Sequence, residues 1–346
     1  MCALGGRIAV VIALFTAVGV SAAPTWTAQA SGVSARLRGV SAASDRVVWA
    51  SGADATVLRT TDGGGSWQKL TVPDAGALDF RDIDAVSDRV AYVLSIGNGN
   101  ASRIYKTIDA GATWTLQFTN TDEKAFFDAM AFCDADRGVA FSDSVDGRFV
   151  ILLTSTGGRT WTAVPPQALP PALAGEGAYA ASGSNVTVQG PQLVWIGTTA
   201  GLVLRSSDGG RSWSVAATPV ATGPSAGIFS IAFADRTRGI VVGGDYRREG
   251  EASDNAAVTV DGGRTWTARA GLTGFRSVVK YVPRAATPSL LAVGPSGADY
   301  SVDDGRNWRS VEGKGFDAFS FAPSGRVGWG VGDNGRIARL RWLGDE

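Results

Sequence analysis

Thr60-Thr61-Asp62-Gly63-Gly64-Gly65-Ser66-Trp67 is one of six copies of the motif Ser/Thr-x-Asp-x-Gly-x-Ser/Thr-Trp, and this recurrence decides the fold. The other copies run 107–114, 154–161, 206–213, 259–266 and 301–308. Thr156 stands in place of the aspartate in the third copy, and Asn307 in place of the hydroxyl residue in the sixth. Subtracting the positions of Trp67, Trp114, Trp161, Trp213, Trp266 and Trp308 gives spacings of 47, 47, 52, 53 and 42. That period suits a four-stranded propeller blade and is too long for the commonest helical-hairpin repeats.

Around each motif the same pattern returns. A β-rich run precedes it, as in Val57-Leu58-Arg59-Thr60 or Leu202-Val203-Leu204-Arg205. Before that run lies a strand such as Val47-Val48-Trp49 or Leu193-Val194-Trp195. Earlier still comes an alternating strand such as Phe229-Ser230-Ile231-Ala232-Phe233. Period-two alternation between Gly/Asp/Asn turns marks strands, and no window carries a helical period. After Trp308 the chain holds three more strands: Asp317 to Phe321, Arg326 to Trp329 and Arg336 to Leu340. The missing fourth is supplied by Thr25-Trp26-Thr27, whose tryptophan lies 41 positions before Trp67 by subtraction. The expected architecture is therefore all-β: a seven-bladed propeller closed by pairing the N- and C-terminal strands, which removes exposed sheet edges.

Composition narrows the function classes. Hydrophobic residues make up 45% and charged residues 18% of 346, enough for one large closed domain rather than a disordered chain. Lys+Arg and Asp+Glu both number 32, so no overall field favours nucleic acid or an anionic membrane. Histidine is absent, which excludes Ser-His-Asp and Cys-His catalysis and the usual zinc sites. No metal or cofactor is expected. Residues 1–22 read as a secretory signal: Arg7 is the positive flank, Ile8 to Val20 the apolar stretch, and Val20-Ser21-Ala22 the small-residue exit. The apolar stretch counts 13 residues, short of the roughly 20 that a spanning helix needs. Cleavage after Ala22 leaves the propeller, 23–346, exported to the periplasm or beyond. Cys2 leaves with the signal, and Cys133 stays as an inert thiol that cannot form an internal disulfide.

The repeats resemble Asp-boxes, or BNR repeats, of sialidase-like propellers. Their order and spacing over the mature chain resemble the photosystem II stability/assembly factor-like family of exported seven-bladed propellers. The resemblance implies a role in assembling or stabilising a membrane or envelope complex through a protein partner. Physically, Asp62, Asp109, Asp208, Asp261 and Asp303 close turns by accepting backbone hydrogen bonds, while the tryptophans pack inward. Carried on separate blades, these carboxylates cannot converge on one substrate.

A site is expected at the opposite end, where inner strands start. Aligning them puts Arg38, Arg81, Arg276, Asp128 and Asp317 at one channel mouth, in the ring order Arg276, Asp317, Arg38, Arg81, Asp128. Three arginines there would bind a carboxylate or acidic side chains through forked hydrogen bonds, unless the aspartates neutralise them. The 165–177 linker and the 244–251 loop, with Tyr246 and Arg247, are placed on the same face. The expected form is a monomeric, non-catalytic, protein-binding propeller with no nucleic-acid partner. The alternative is a sialidase-like or other glycoside hydrolase, to which Phe80-Arg81-Asp82-Ile83 bears a faint likeness. Nothing in the sequence holds Tyr246 and Glu249 beneath the arginines as a nucleophile pair.

Overall fold

Seven four-stranded antiparallel sheets form the fold, each with its strands in sequence order apart from the closing one. The structure, a computed structural model, describes residues 23–342. The expected signal segment 1–22 lies outside the described residues. From blade one to blade seven the inner strands are Leu37–Ala42, Phe80–Ala85, Phe127–Phe132, Val186–Gln189, Ala226–Phe233, Val278–Tyr281 and Ala318–Phe321. The closing sheet pairs Thr25–Gln29 with Ile337–Arg341, with Trp26 opposite Leu340. The C-terminal strand thus runs one residue later than the 336–340 read from sequence.

The six motif turns work as the sequence suggests. In the second copy Thr107 Oγ1 donates to Asp109 Oδ1 at 2.9 Å and accepts from Gly111 N at 2.9 Å. Asp109 in turn accepts from Thr113 N at 2.9 Å and from its hydroxyl at 2.6 Å. These bonds, the Thr113 hydroxyl foremost, hold the Asp109 carboxyl down at about 2. Gly111 sits at φ +88°, where a side chain would be strained. The two variant copies keep the turn by substitution of equivalent groups. Thr156 Oγ1 accepts from Thr160 N at 2.9 Å, and Asn307 Nδ2 donates to Asp303 Oδ2 at 2.6 Å.

The tryptophans pack between blades rather than within one. Trp114 of blade two stands edge-on to Trp49 of blade one, centroids 6.0 Å apart, in a core shared with Phe80 and Tyr105. Trp266 of blade five meets Phe233, which itself stacks on Trp195 of blade four at 3.8 Å. Trp67 donates to Gln29 Oε1 at 3.3 Å, tying blade one to the closing strand. Trp114 alone of the six is fully buried; the others are half-buried at the outer gap between neighbours.

Inner strands are too splayed to pair with one another, so side chains bridge them near the axis. Ser41 accepts from Ala85 N, Asp82 from Met130 N, Asp84 from Phe132 N, Ser230 from Val279 N and Ser320 from Ala42 N, all at 2.7–3.2 Å. Each bond runs from one blade to the next and satisfies an edge amide that would otherwise be unpaired. Burial pushes Asp82 up to about 8, against the pull of the Met130 amide. Asp82 and Asp84 attract Lys280 of blade six, whose ammonium burial holds below its ordinary range.

Candidate functional site

The mouth is set by one position per blade, and the strand registers identify it. Arg38, Arg81 and Asp128 interrupt the ladders between Leu37/Gly39, Phe80/Asp82 and Phe127/Ala129, and Phe229 does the same between Ile228 and Ser230. A bulge re-aims the extra side chain out of the sheet, here toward the opening. Counting back from the strand ends gives Asn185, Ser277 and Asp317 as the equivalents in blades four, six and seven.

Arg276 is therefore one residue off the expected position. Side chains alternate along a strand, so a slip of one turns the group to the other side. The Arg276 guanidinium is buried inside its own blade, Nη2 lying 2.7 Å from Asp299 Oδ2 with both side chains at most 2% exposed. It also donates from Nε to Asp299 Oδ2 and from Nη1 to the Phe275 carbonyl. The expectation that it offers charge at the mouth is corrected: it is a structural ion pair.

Asp128 is corrected as well. It keeps the expected position in the alignment but is 1% exposed and lies beside Asp143. Burial, then the neighbouring Asp143, raises its carboxyl well above the usual range. Buried beside Asp143, it does not reach the opening. Asp143 in turn accepts from Ala178 N at 3.0 Å.

Arg38, Arg81 and Asp317 do share one cavity of about 480 Å³, and they are joined by Arg36. Arg36 pairs with Asp317 at 2.9 Å, while Arg38 Nε stands 3.9 Å from the same oxygen. Asp317 is 4% exposed and the Arg36 side chain 49%, so the pair sits at the solvent boundary. The bond to Asp317 raises Arg36, whereas burial lowers Arg38 to about 10, still cationic at neutral pH. Arg81 pairs with Asp79 at 2.8 Å. Three arginines meet the buried Asp317 and the half-buried Asp79, and Glu249 is a third carboxylate on the same lining, so the charges balance in number. Among the described residues no acceptor meets Arg36 Nη1, Arg38 Nη2 or Arg81 Nη2.

The other half of the cavity is aromatic. Tyr179 stacks on Phe229 at 3.9 Å, Phe275 stands edge-on to Phe229 at 4.6 Å, and Tyr246 closes the group at 6.0 Å from Tyr179. Arg247 lies over the Tyr246 ring at 5.9 Å, on the solvent side, and Glu249 lines the same cavity. The structure thus brings Tyr246 beside the arginines, as expected, and adds Glu249, which the sequence did not place there. Tyr246 makes no hydrogen bond to Glu249 among the described residues. Arg36 and Tyr179 were also missed. Arg36 precedes its strand, and Tyr179 belongs to an irregular linker outside any repeat.

That linker continues over the axis. Residues 178–184 leave blade three, cross the mouth and reach blades one, two and six. Arg81 Nη1 donates to Ala180 O at 3.1 Å, Arg38 Nη1 to Ala181 O at 3.5 Å, and Ser182 Oγ to Ser277 O at 2.9 Å. Gly183 passes so close to Asp82 that a Cβ would fall 2.1 Å from Oδ1. A second cleft, of about 570 Å³, lies between blades three and four beside the motif turns and includes Cys133, Arg137 and Asp208. Arg137 is paired there with Asp134, and Asp208 is tied into its turn, so no charge converges. Burial, with Asp134 alongside, raises the Cys133 thiol. Among the described residues no group of three or more His, Cys, Asp and Glu is placed to hold a metal.

No family profile and no curated protein sequence matches the chain. Solved structures do. YCF48 bound to D1 peptide superposes with a TM-score of 0.65 at 16% identity, covering 92% of this chain and 97% of that one. YCF48 from Cyanidioschyzon merolae gives 0.64 at 16% identity, covering 92% and 99%. A GH74 xyloglucanase from Xanthomonas campestris gives 0.59 at 16% identity, covering 91% of this chain and 53% of its own. At such identities the likeness carries the fold, a seven-bladed propeller similar to YCF48.

Proposed function

We propose that this protein is an exported, non-catalytic propeller that binds a protein partner at the arginine-lined mouth and aids assembly or stability of a membrane or envelope complex. The observation that carries the reading is the joining of Arg36, Arg38 and Arg81 with an aromatic wall in one cavity. Forked donors on one side and Tyr179, Phe229, Tyr246 and Phe275 on the other suit a peptide that offers a carboxylate next to an apolar side chain. The peptide bound to YCF48 supports a protein-binding use of this fold. The sequence resemblance to photosystem II stability/assembly factor-like propellers supports the assembly role. Residues 1–22 support export.

Capture from detergent-solubilised membranes tests it. The wild type should retain a partner that elutes with salt, and an Arg36/Arg38/Arg81 triple alanine variant of unchanged near-UV circular dichroism should not. Equal capture by both would overturn the mouth as the binding site.

A glycoside hydrolase is the second reading, favoured by one observation: three arginines, Tyr246, Glu249 and Asp317 share a cavity. Against it, Asp317 is locked by Arg36, and among the described residues no base is bonded to the Tyr246 hydroxyl. Turnover of a sialoside, abolished by Tyr246→Phe, would establish it; none is expected.

A further inference from the structure

Two of the three arginines at the mouth already hold something: the chain's own main chain. We propose that residues 178–184 are a built-in occupant of the mouth, whose carbonyls each take one arginine N–H in the free protein and give it up to a partner's carboxylates. The inference rests on the carboxylate reading of the site and adds what a ligand has to displace.

Its centre is held differently from its ends. At one end Gly177 N donates to Thr199 Oγ1 at 3.2 Å and Ala178 N to Asp143 Oδ1 at 3.0 Å. At the other, Ser184 Oγ donates to Ser230 Oγ at 2.8 Å, and Ile231 N donates to Ser184 O at 2.9 Å. Between these pins Ala180 and Ala181 carry no side chain beyond a methyl, belong to no strand and accept the Arg81 and Arg38 bonds, while Ala181 packs with Phe229 and Phe275 and Ser182 Oγ donates to Ser277 O. A neutral amide oxygen is the weaker acceptor for a guanidinium; a carboxylate makes a charge-assisted, two-point bond. Exchange of one for the other is favourable at the arginine end. Against the exchange stands the packing of the buried Ala181 methyl with Phe229 and Phe275, an apolar contact confined to a single methyl group. Gly175 at φ +70° precedes the segment and Gly183 at φ +69° lies near its end, both with backbone freedom to absorb the movement. The single large side chain, Tyr179, stays stacked on Phe229 beyond the crossing point.

Hydrogen exchange on the full chain tests this, with octaglutamate as the probe and a Gly/Ser octapeptide as the control. Without probe, an Arg38→Ala/Arg81→Ala variant should exchange amides 178–184 about tenfold or more faster, as expected for losing two bonds to charged donors. Blade amides should be unchanged and report that the fold is intact. Unchanged exchange at 178–184 would overturn the proposal. With wild type, octaglutamate binding at low salt should accelerate the same amides. Replacing Ala180 and Ala181 by glycine, which loosens the segment, should tighten octaglutamate binding about five- to tenfold. Binding with exchange unchanged or slowed at 178–184 overturns displacement while leaving the carboxylate site intact. No binding by either the wild type or the glycine variant overturns the carboxylate site, and displacement falls with it.

Discussion

Arg36 and Asp317, 281 residues apart in the chain, meet in a two-point pair at the mouth, Nε to Oδ2 and Nη2 to Oδ1, both at 2.9 Å. The pair joins the entry to blade one with the start of the inner strand of blade seven, so it both closes the ring and occupies part of Arg36's donor set. These two roles separate on mutation. Asp317→Ala should cost about 1–3 kcal/mol in a denaturant melt, because a buried carboxylate and its partner are lost. The same variant should bind octaglutamate more tightly, since Arg36 and Arg38 lose their neutralising neighbour. Weaker binding in a variant that still folds would show that the pair, rather than the freed arginine donors, organises the site.

Salt should weaken the mouth's association with acidic peptides steeply, because Arg36 and Arg81 lie near solvent within a Debye length of about 10 Å at 0.1 M. Arg81→Lys should weaken it as well, since a lysine keeps the charge but loses the fork. Titrations at 50 and 300 mM NaCl check both. Binding indifferent to salt would point to the aromatic wall as the dominant contact.

Trp114→Ala should destabilise by about 3–5 kcal/mol, the range for a large buried aromatic. Trp266→Ala, in a half-buried position, should cost less, about 1–2 kcal/mol. Parallel urea melts decide this, and a reversed order would mean that the packing of Trp114 against Trp49 is not the stronger joint.

The motif turns can be tested in both directions. Asp261→Ala removes the acceptor for Thr265 N and its hydroxyl and should cost about 0.5–2 kcal/mol, like a lost helix cap. Thr156→Asp restores the consensus in blade three and should gain about 0.5–1 kcal/mol, a charged acceptor replacing a hydroxyl. A loss on Thr156→Asp would mean that blade three has adapted to its threonine.

Asp128 gives the stability a pH dependence of known sign. Its folded-state carboxyl is raised above the unfolded value near 4, so the folded protein binds the extra proton. The contribution is full below about pH 4 and is lost as pH rises through the folded value. Asp128→Asn keeps a donor toward Asp143 without the charge. It should raise the melting temperature at pH 8 by about 2–5 °C and change it little at pH 5. An equal shift at both pH values would mean that the carboxyl is not protonated when folded.

The propeller was readable because its signals are local and repeated. Trp67, Trp114 and their equivalents mark every blade, and Trp26 ahead of the first motif announced the closing strand that pairs with Ile337–Arg341. Roles that need only a turn, such as Asp109 accepting from Thr113, followed from the residue types. The mouth was half readable. Arg38, Arg81 and Asp317 follow from aligning strand starts, but the same alignment sets Arg276 one residue off. Counting back from Tyr281, opposite Leu290, would have given Ser277 instead.

Sequence alone determined the repeat, its period, the turn chemistry and the number of blades, because each depends on residues close together in the chain. Tertiary structure alone decided which charges face the mouth. That choice turns on strand register and on bulges, where one residue's slip buries Arg276 against Asp299 and turns Arg38 toward the axis. It also turns on a linker without a repeat, residues 178–184, whose path across the arginines is dictated by contacts with four other blades. Long-range geometry of that kind leaves no periodic trace in the chain, since the residues that meet have no fixed spacing from one another.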